Sequence, residues 1–157
     1  MWYMKPVRVT IDVPHPREHV FDFLDVMSNH EPFTNHMLQG WEYSGPDRGI
    51  GSKARVKVKA GGRTESVDIE VIAAERPKTI VEQNVSAGGK RIGTGTYTLD
   101  ELPGGHTRIA FEYAWRRPLV SDRVAAPVIR AILRRGNQRA MERLAEQLAL
   151  RDPAAVS

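Results

Sequence analysis

Residues 5 to 13 alternate, with Val7, Val9, Ile11 and Val13 against Arg8, Thr10 and Asp12. A period of two lays one face on a core and the other on water, so this segment is a half-buried strand. Pro14 and Pro16 end it, because proline donates no ladder hydrogen bond. Between Arg17 and Met27 the period changes. Val20, Phe21, Leu24 and Met27 recur at three and four, which predicts a short amphipathic helix. Ser28-Asn29-His30-Glu31 has capping-box spacing and predicts a second short helix that ends before Gln39-Gly40. Pro32 also allows a start nearer Glu31.

From residue 39 to 116 only strand patterns occur. Trp41–Ser44 is short and closed by Gly45-Pro46-Asp47. Lys53 to Lys59 alternates, with Ala54, Val56 and Val58 on one face. Gly61-Gly62 marks a hairpin, and Val67, Ile69 and Val71 alternate beyond it. Arg76-Pro77-Lys78, Ala87-Gly88-Gly89 and Pro103-Gly104-Gly105 separate three further strands: Thr79 to Val85, Arg91 to Leu99, and one carrying Ile109, Phe111, Tyr113 and Trp115 on a single face. Strands joined by short hairpins form an antiparallel meander. Pro118 ends the sheet. From about Ser121 to Ala149 the period is 3.6, with a stripe of Ile129, Ile132, Leu133, Gly136, Ala140, Leu144 and Leu148. Arg135, Arg139, Glu142, Arg143 and Glu146 take the outer face. Pro127 either kinks this helix or begins its main part. The order strand, two short helices, strands, long helix is α+β rather than parallel α/β.

The 157 residues suit one domain, with its core at about 5–149 and a small polar tail at 150–157, and are enough to bury a core without staples. There is no cysteine, which excludes disulfides, thiolate catalysis and cysteine-based metal sites. No apolar run is long enough to span a bilayer, and the first residues lack the pattern of a secretory leader, so a cytoplasmic protein is expected. Charge is uneven. Arg116 to Arg151 holds nine Arg, no Lys and three acids, leaving −2 of the total +4 for the rest. Such a segment faces nucleic acid, an anionic membrane or simply water. With no aromatics interleaved to stack bases, specific nucleic-acid binding is not expected.

Candidate chemistry is sparse. The histidines at 15, 19, 30, 36 and 106 complete no metal set, HExxH is absent, and no metal or cofactor is predicted. Gly93-Thr94-Gly95 lies inside a strand and opens no helix, so it is not a dinucleotide loop. GxSxG is absent too. Alternation places Gln83 inward with Val81 and Val85, and Asp68, Glu70, Glu82 and Glu112 outward. No inward carboxylate or histidine is read in the strands.

Several stretches together resemble the START-like, helix-grip superfamily (SRPBCC), in particular its bacterial polyketide cyclase/dehydrase branch. They are Val7-Arg8-Val9-Thr10-Ile11-Asp12-Val13-Pro14, Val20-Phe21-Asp22-Phe23-Leu24 and Gly49-Ile50-Gly51-Ser52. Further on they are Gly93-Thr94-Gly95-Thr96-Tyr97-Thr98-Leu99 and Asn137-Gln138-Arg139-Ala140-Met141-Glu142-Arg143-Leu144. The resemblance implies a strongly curved antiparallel sheet gripping a long C-terminal helix around a cavity, with the twin-glycine hairpins at its mouth. The expected lining is Trp41, Tyr43, Val56, Val58, Ile69, Gln83, Tyr97, Phe111, Tyr113, Trp115, Ile132, Gly136 and Ala140. Gly136 and Ala140 are small enough to leave space opposite the aromatics, or alternatively to allow close helix–sheet packing. The expected function is binding of a small apolar or aromatic molecule, such as a lipid or polyketide, by a monomer or homodimer. One alternative is a cyclase/aromatase-type enzyme using Tyr97, Tyr113, Gln83 and His36. Another is an interaction module built on the Arg-rich helix.

Overall fold

The computed structural model describes residues 4–60 and 62–151. Its elements are β1 (Val7–Val13), α1 (Arg17–Leu24), a 3-10 turn (Met27–His30), α2 (Glu31–Thr34) and β2 (Gln39–Ser44). Then come β3 (Lys53–Ala60), β4 (Arg63–Glu75), β5 (Thr79–Ser86), β6 (Arg91–Leu102), β7 (His106–Arg117), α3 (Val120–Val124) and α4 (Ala126–Leu150). The seven strands form one curved antiparallel sheet in the order β1-β7-β6-β5-β4-β3-β2. β2 to β7 is the predicted meander, and β1 returns to the free edge of β7. Gly61 of the twin-glycine hairpin and the tail from Asp152 lie outside the described residues.

Residues paired across strands share a face, so the register builds rows over the concave side. Leu99, Ile109 and Ile11 form one row; Ile80, Tyr97, Phe111 and Val9 the next. Val71, Glu82, Gly95, Tyr113 and Val7 follow, then Ile69, Asn84, Gly93 and Trp115. α4 crosses this side, packing chiefly along β1 and α2. Its buried residues are Asn137, Ala140, Met141, Leu144 and Leu148. Fully burying each of the last three contributes roughly 1.5–3 kcal/mol.

The interior holds two apolar clusters. The larger joins Val9, Phe21, Phe23, Leu24, Phe33, Ile80, Tyr97, Leu99 and Ile109 to Ala140, Met141, Leu144 and Leu148. The smaller joins Met4, Val7 and Trp115 to Tyr113, Ala126, Ile129 and Leu133. Passing from one to the other, α4 places Asn137 between Leu133 and Ala140.

Two expectations are corrected, the Ser28 cap and the placement of the helix stripe, and the alternatives at Pro32 and Pro127 are decided. Ser28 caps nothing: the 3-10 turn begins after Val26 without a side-chain cap, and α2 starts at Glu31 with proline in its first turn. The long helix breaks at Ala125, and Pro127 sits in the first turn of α4, where its missing N–H costs nothing. The apolar stripe is also rotated. Ile132 is 66% exposed. A Cβ on Gly136 would collide with Met37 Sδ, so this glycine accommodates the chain leaving α2 rather than opening space toward the sheet. The centre of the buried face lies one position further round, through Asn137 and Met141.

Candidate functional site

The inward residues of β5 are Ile80, Glu82, Asn84 and Ser86, the reverse of the predicted parity. Glu82 is 6% exposed, while Gln83 lies on the other face. Val81 and Val85 misled the reading: they are aliphatic, yet they share Gln83's face, and Ile80 alone marked the true one. Beside Glu82 in register is Gly95, where a Cβ would stand 2.8 Å from the Phe111 ring and 3.4 Å from Glu82 Oε1. At Gly93 a Cβ would collide with the Tyr113 hydroxyl. The two glycines of β6 thus let two aromatic rings lie directly on the backbone. Phe111 in turn packs on Tyr97, with ring centroids 4.7 Å apart.

His30, also buried, closes over Glu82 from the helical side. Its Nε2–H donates to the Leu24 carbonyl at 2.7 Å, which leaves Nδ1 as an acceptor. Nδ1 faces Glu82 Oε2 at 3.7 Å. Burial pulls the imidazole down to about 4 and pushes the Glu82 carboxyl up to about 7, because both charged forms lose water. Both groups are therefore neutral just below pH 7. Burial, and secondarily the charge of Glu82, raises the Tyr97 phenol well above its ordinary value; burial raises Tyr113 to about 12. Sequence reading missed both His30 and Glu82. The available signal was that β5 carries Ile80, Glu82 and Ser86 at one parity.

Three buried polar atoms in this interior make no hydrogen bond: Glu82 Oε2, Asn84 Oδ1 and Asn137 Nδ2. Two lie on the inward face of β5 and one on the buried face of α4. A buried polar atom without a partner costs about 1–3 kcal/mol. Two acceptors and a donor across an apolar interior match a molecule offering hydroxyl and carbonyl groups.

The smaller cluster's end is less tightly closed. Tyr113, Ile129 and Leu133, which pack on it, are all partly exposed. Arg91 clamps this end. Its guanidinium donates to both Asp122 oxygens at 2.8 Å, to Glu65 at 2.8 and 2.9 Å, and to Ser86 Oγ at 3.2 Å, tying α3 to β4 and β5. Burial raises the Asp122 carboxyl, but Arg91 and the Leu119 N–H outweigh it and hold the group below the usual carboxylate value.

The predicted lining divides. Val56, Ile69, Tyr97, Trp115 and Ala140 are buried inside, with Phe111, Tyr113, Val58 and Trp41 partly exposed beside them. Tyr43 is 45% exposed at the β2 edge, where it donates to Glu31 Oε1 at 2.6 Å. Ile132 and Gln83 do not face the interior. His36 lies on the surface: its Nε2–H donates to the Gly136 carbonyl at 2.9 Å, and Nδ1 accepts from Arg143 at 3.1 Å. It fastens α2 to α4 and reaches no interior group. A depression of about 410 Å³ beside Arg8, Thr10, Asp12 and Arg108 and one of about 150 Å³ near Ser28, Tyr43 and Lys53 lie away from the Glu82 layer. Among the described residues no three metal-ligating side chains come together, and no helix is long and apolar enough to cross a membrane.

The family model for polyketide cyclase/dehydrase and lipid transport matches residues 4–149. The chain belongs to this family. Solved structures of the same helix-grip fold include TTHA0849 from Thermus thermophilus, at 15% identity and TM-score 0.75, covering 94% of this chain and 99% of that one. The Zhui aromatase/cyclase from Streptomyces sp. R1128 has 13% identity and TM-score 0.72, covering 96% and 97%. Ginseng major latex-like protein 151 from Panax ginseng has 9% identity and TM-score 0.65, covering 90% and 95%. At these identities the likeness is one of fold. No curated protein matches the chain.

Proposed function

We propose that this family member, as a cytoplasmic monomer or homodimer, binds a small, largely apolar or aromatic molecule between the sheet and α4. The ligand's polar edge lies against Glu82, Asn84 and Asn137. The observation that carries the reading is the set of unpartnered buried atoms on the inward face of β5 and the buried face of α4, Glu82 Oε2, Asn84 Oδ1 and Asn137 Nδ2, set among aromatic and aliphatic side chains. The family description, which includes lipid transport, supports it. A hydroxynaphthyl methyl ketone is a suitable fluorescent probe, with the naphthyl methyl ketone lacking the hydroxyl as its control. A site built to hydrogen-bond a hydroxyl rejects the analogue without it. The hydroxylated probe is expected to bind at least about tenfold tighter, a difference of about 1.4 kcal/mol. Asn137→Leu and Asn84→Leu should reduce that preference. Equal affinity for both probes, unchanged in the variants, would refute the placement.

A second reading, a cyclase/aromatase-type enzyme, is favoured by the Glu82–His30 pair and by the Zhui aromatase/cyclase among the structural neighbours. A carboxyl raised to about 7 and screened from water is suited to take a proton from carbon next to a ketone and return it. The same probe tests this. Catalysed exchange of its acetyl hydrogens in deuterated water, lost in Glu82→Gln, supports an enzyme. Binding without exchange leaves a carrier or receptor.

A further inference from the structure

The helical segment after the sheet carries a second pattern, independent of the interior. Val120, Val124, Val128 and Ile132 recur every four residues and are 75, 81, 62 and 66% exposed. Neither apolar cluster claims them. Asp122, on the opposite side of α3, is buried and held by Arg91, which fixes Val120 and Val124 on the outward side. Ala131 is exposed on the same part of α4.

Around this stripe the charge is of one sign. Residues 116 to 139 contain seven Arg: 116, 117, 123, 130, 134, 135 and 139. Their one acid is Asp122, buried and paired with Arg91 inside the clamp rather than set on the surface. Arg116, Arg117, Arg134, Arg135 and Arg139 are exposed. Beyond them the character changes, since Glu142 and Glu146 join the outer face of α4.

We propose that the α3 and early α4 surface docks on an anionic lipid bilayer, with the valine–isoleucine stripe entering the interface and the arginines meeting the headgroups. An amphipathic helical segment with cationic flanks is suited to lie in that plane, and each arginine near an anionic leaflet adds attraction. A second copy of the chain brings the same positive charge against itself. A nucleic acid gains nothing from an aliphatic stripe without stacking rings. An anionic bilayer uses both features.

The test is co-sedimentation of the full chain with vesicles of phosphatidylcholine, with and without phosphatidylglycerol. The protein is expected to pellet with the anionic vesicles, at least tenfold more weakly with the neutral ones, and less as salt rises. Val124→Ser/Val128→Ser keeps the charge and should weaken binding at least tenfold. Arg134→Gln/Arg135→Gln keeps the stripe and should weaken it and flatten the salt dependence. Melting curves check that both exposed-site variants remain folded. The proposal is overturned by absence from the anionic pellet, or by binding that ignores the valine variant. It is equally overturned by a protein-concentration-dependent dimer that the valine variant abolishes, which assigns the stripe to a second copy. Probe binding by the interior is read separately, so either result stands without the other.

Discussion

Replacing Glu82 by glutamine isolates the energetic consequence of burying an ionisable group in this interior. An exposed glutamate releases its proton near 4.5, whereas burial holds the Glu82 proton up to about 7. Between these values the folded state binds one proton more than the unfolded chain. Stability therefore falls as pH rises through this interval, by about 1.4 kcal/mol per unit and roughly 3 kcal/mol in all. His30 acts in the opposite sense. Its folded value near 4 against 6.5 unfolded gives stability that is present above 6.5 and lost as pH falls toward 4. In Glu82→Gln the His30 contribution is retained and cancels in the difference from the parent. Glutamine keeps the shape of the carboxyl without its titration. Urea unfolding followed by tryptophan fluorescence should find the two proteins about equally stable near pH 4. Near pH 8.5 the variant should be more stable by up to about 3 kcal/mol. A difference that does not change with pH, or a variant less stable at high pH, would refute the buried, inward placement of Glu82.

Gly136→Leu adds bulk where Met37 already sits, so overpacking of about 1–3 kcal/mol should exceed the helix-propensity gain of up to about 1 kcal/mol and lower the melting temperature. A rise in melting temperature would contradict that packing. Arg91→Met leaves Asp122 buried without its cation and should cost about 3–5 kcal/mol near neutral pH. The loss should shrink in acid, because the depressed Asp122 value gives stability that is present above about 3.8 and lost as pH falls below it. Denaturant titrations at both pH values measure this.

Much of the fold is legible because local patterns and global contacts agree. Ile109, Phe111, Tyr113 and Trp115 alternate in sequence and share the concave face in the structure. The candidate site was less legible, for two physical reasons. In β5, aliphatic residues occupy both faces, so alternation alone cannot choose between Glu82 and Gln83. On α4, the apolar arc is wide, and its true centre is set by β1 and by the chain around Met37, far away in sequence. Asn137, a polar residue at that centre, reads from periodicity as an edge position. The Arg91 clamp joins Glu65, Ser86 and Asp122 from three separate elements, and no local pattern announces it.

The measurement that bears most directly on ligand binding in the grip is an NMR titration of ¹⁵N-labelled protein with the hydroxynaphthyl methyl ketone. The predicted result is saturable shifts at the Asn137 side-chain amide, the Gly93 and Gly95 backbone amides and the Trp115 indole. Shifts confined to the surface near Arg8 and Arg108, or near Tyr43 and Lys53, would contradict the account, as would a spectrum unchanged at the solubility limit of the probe.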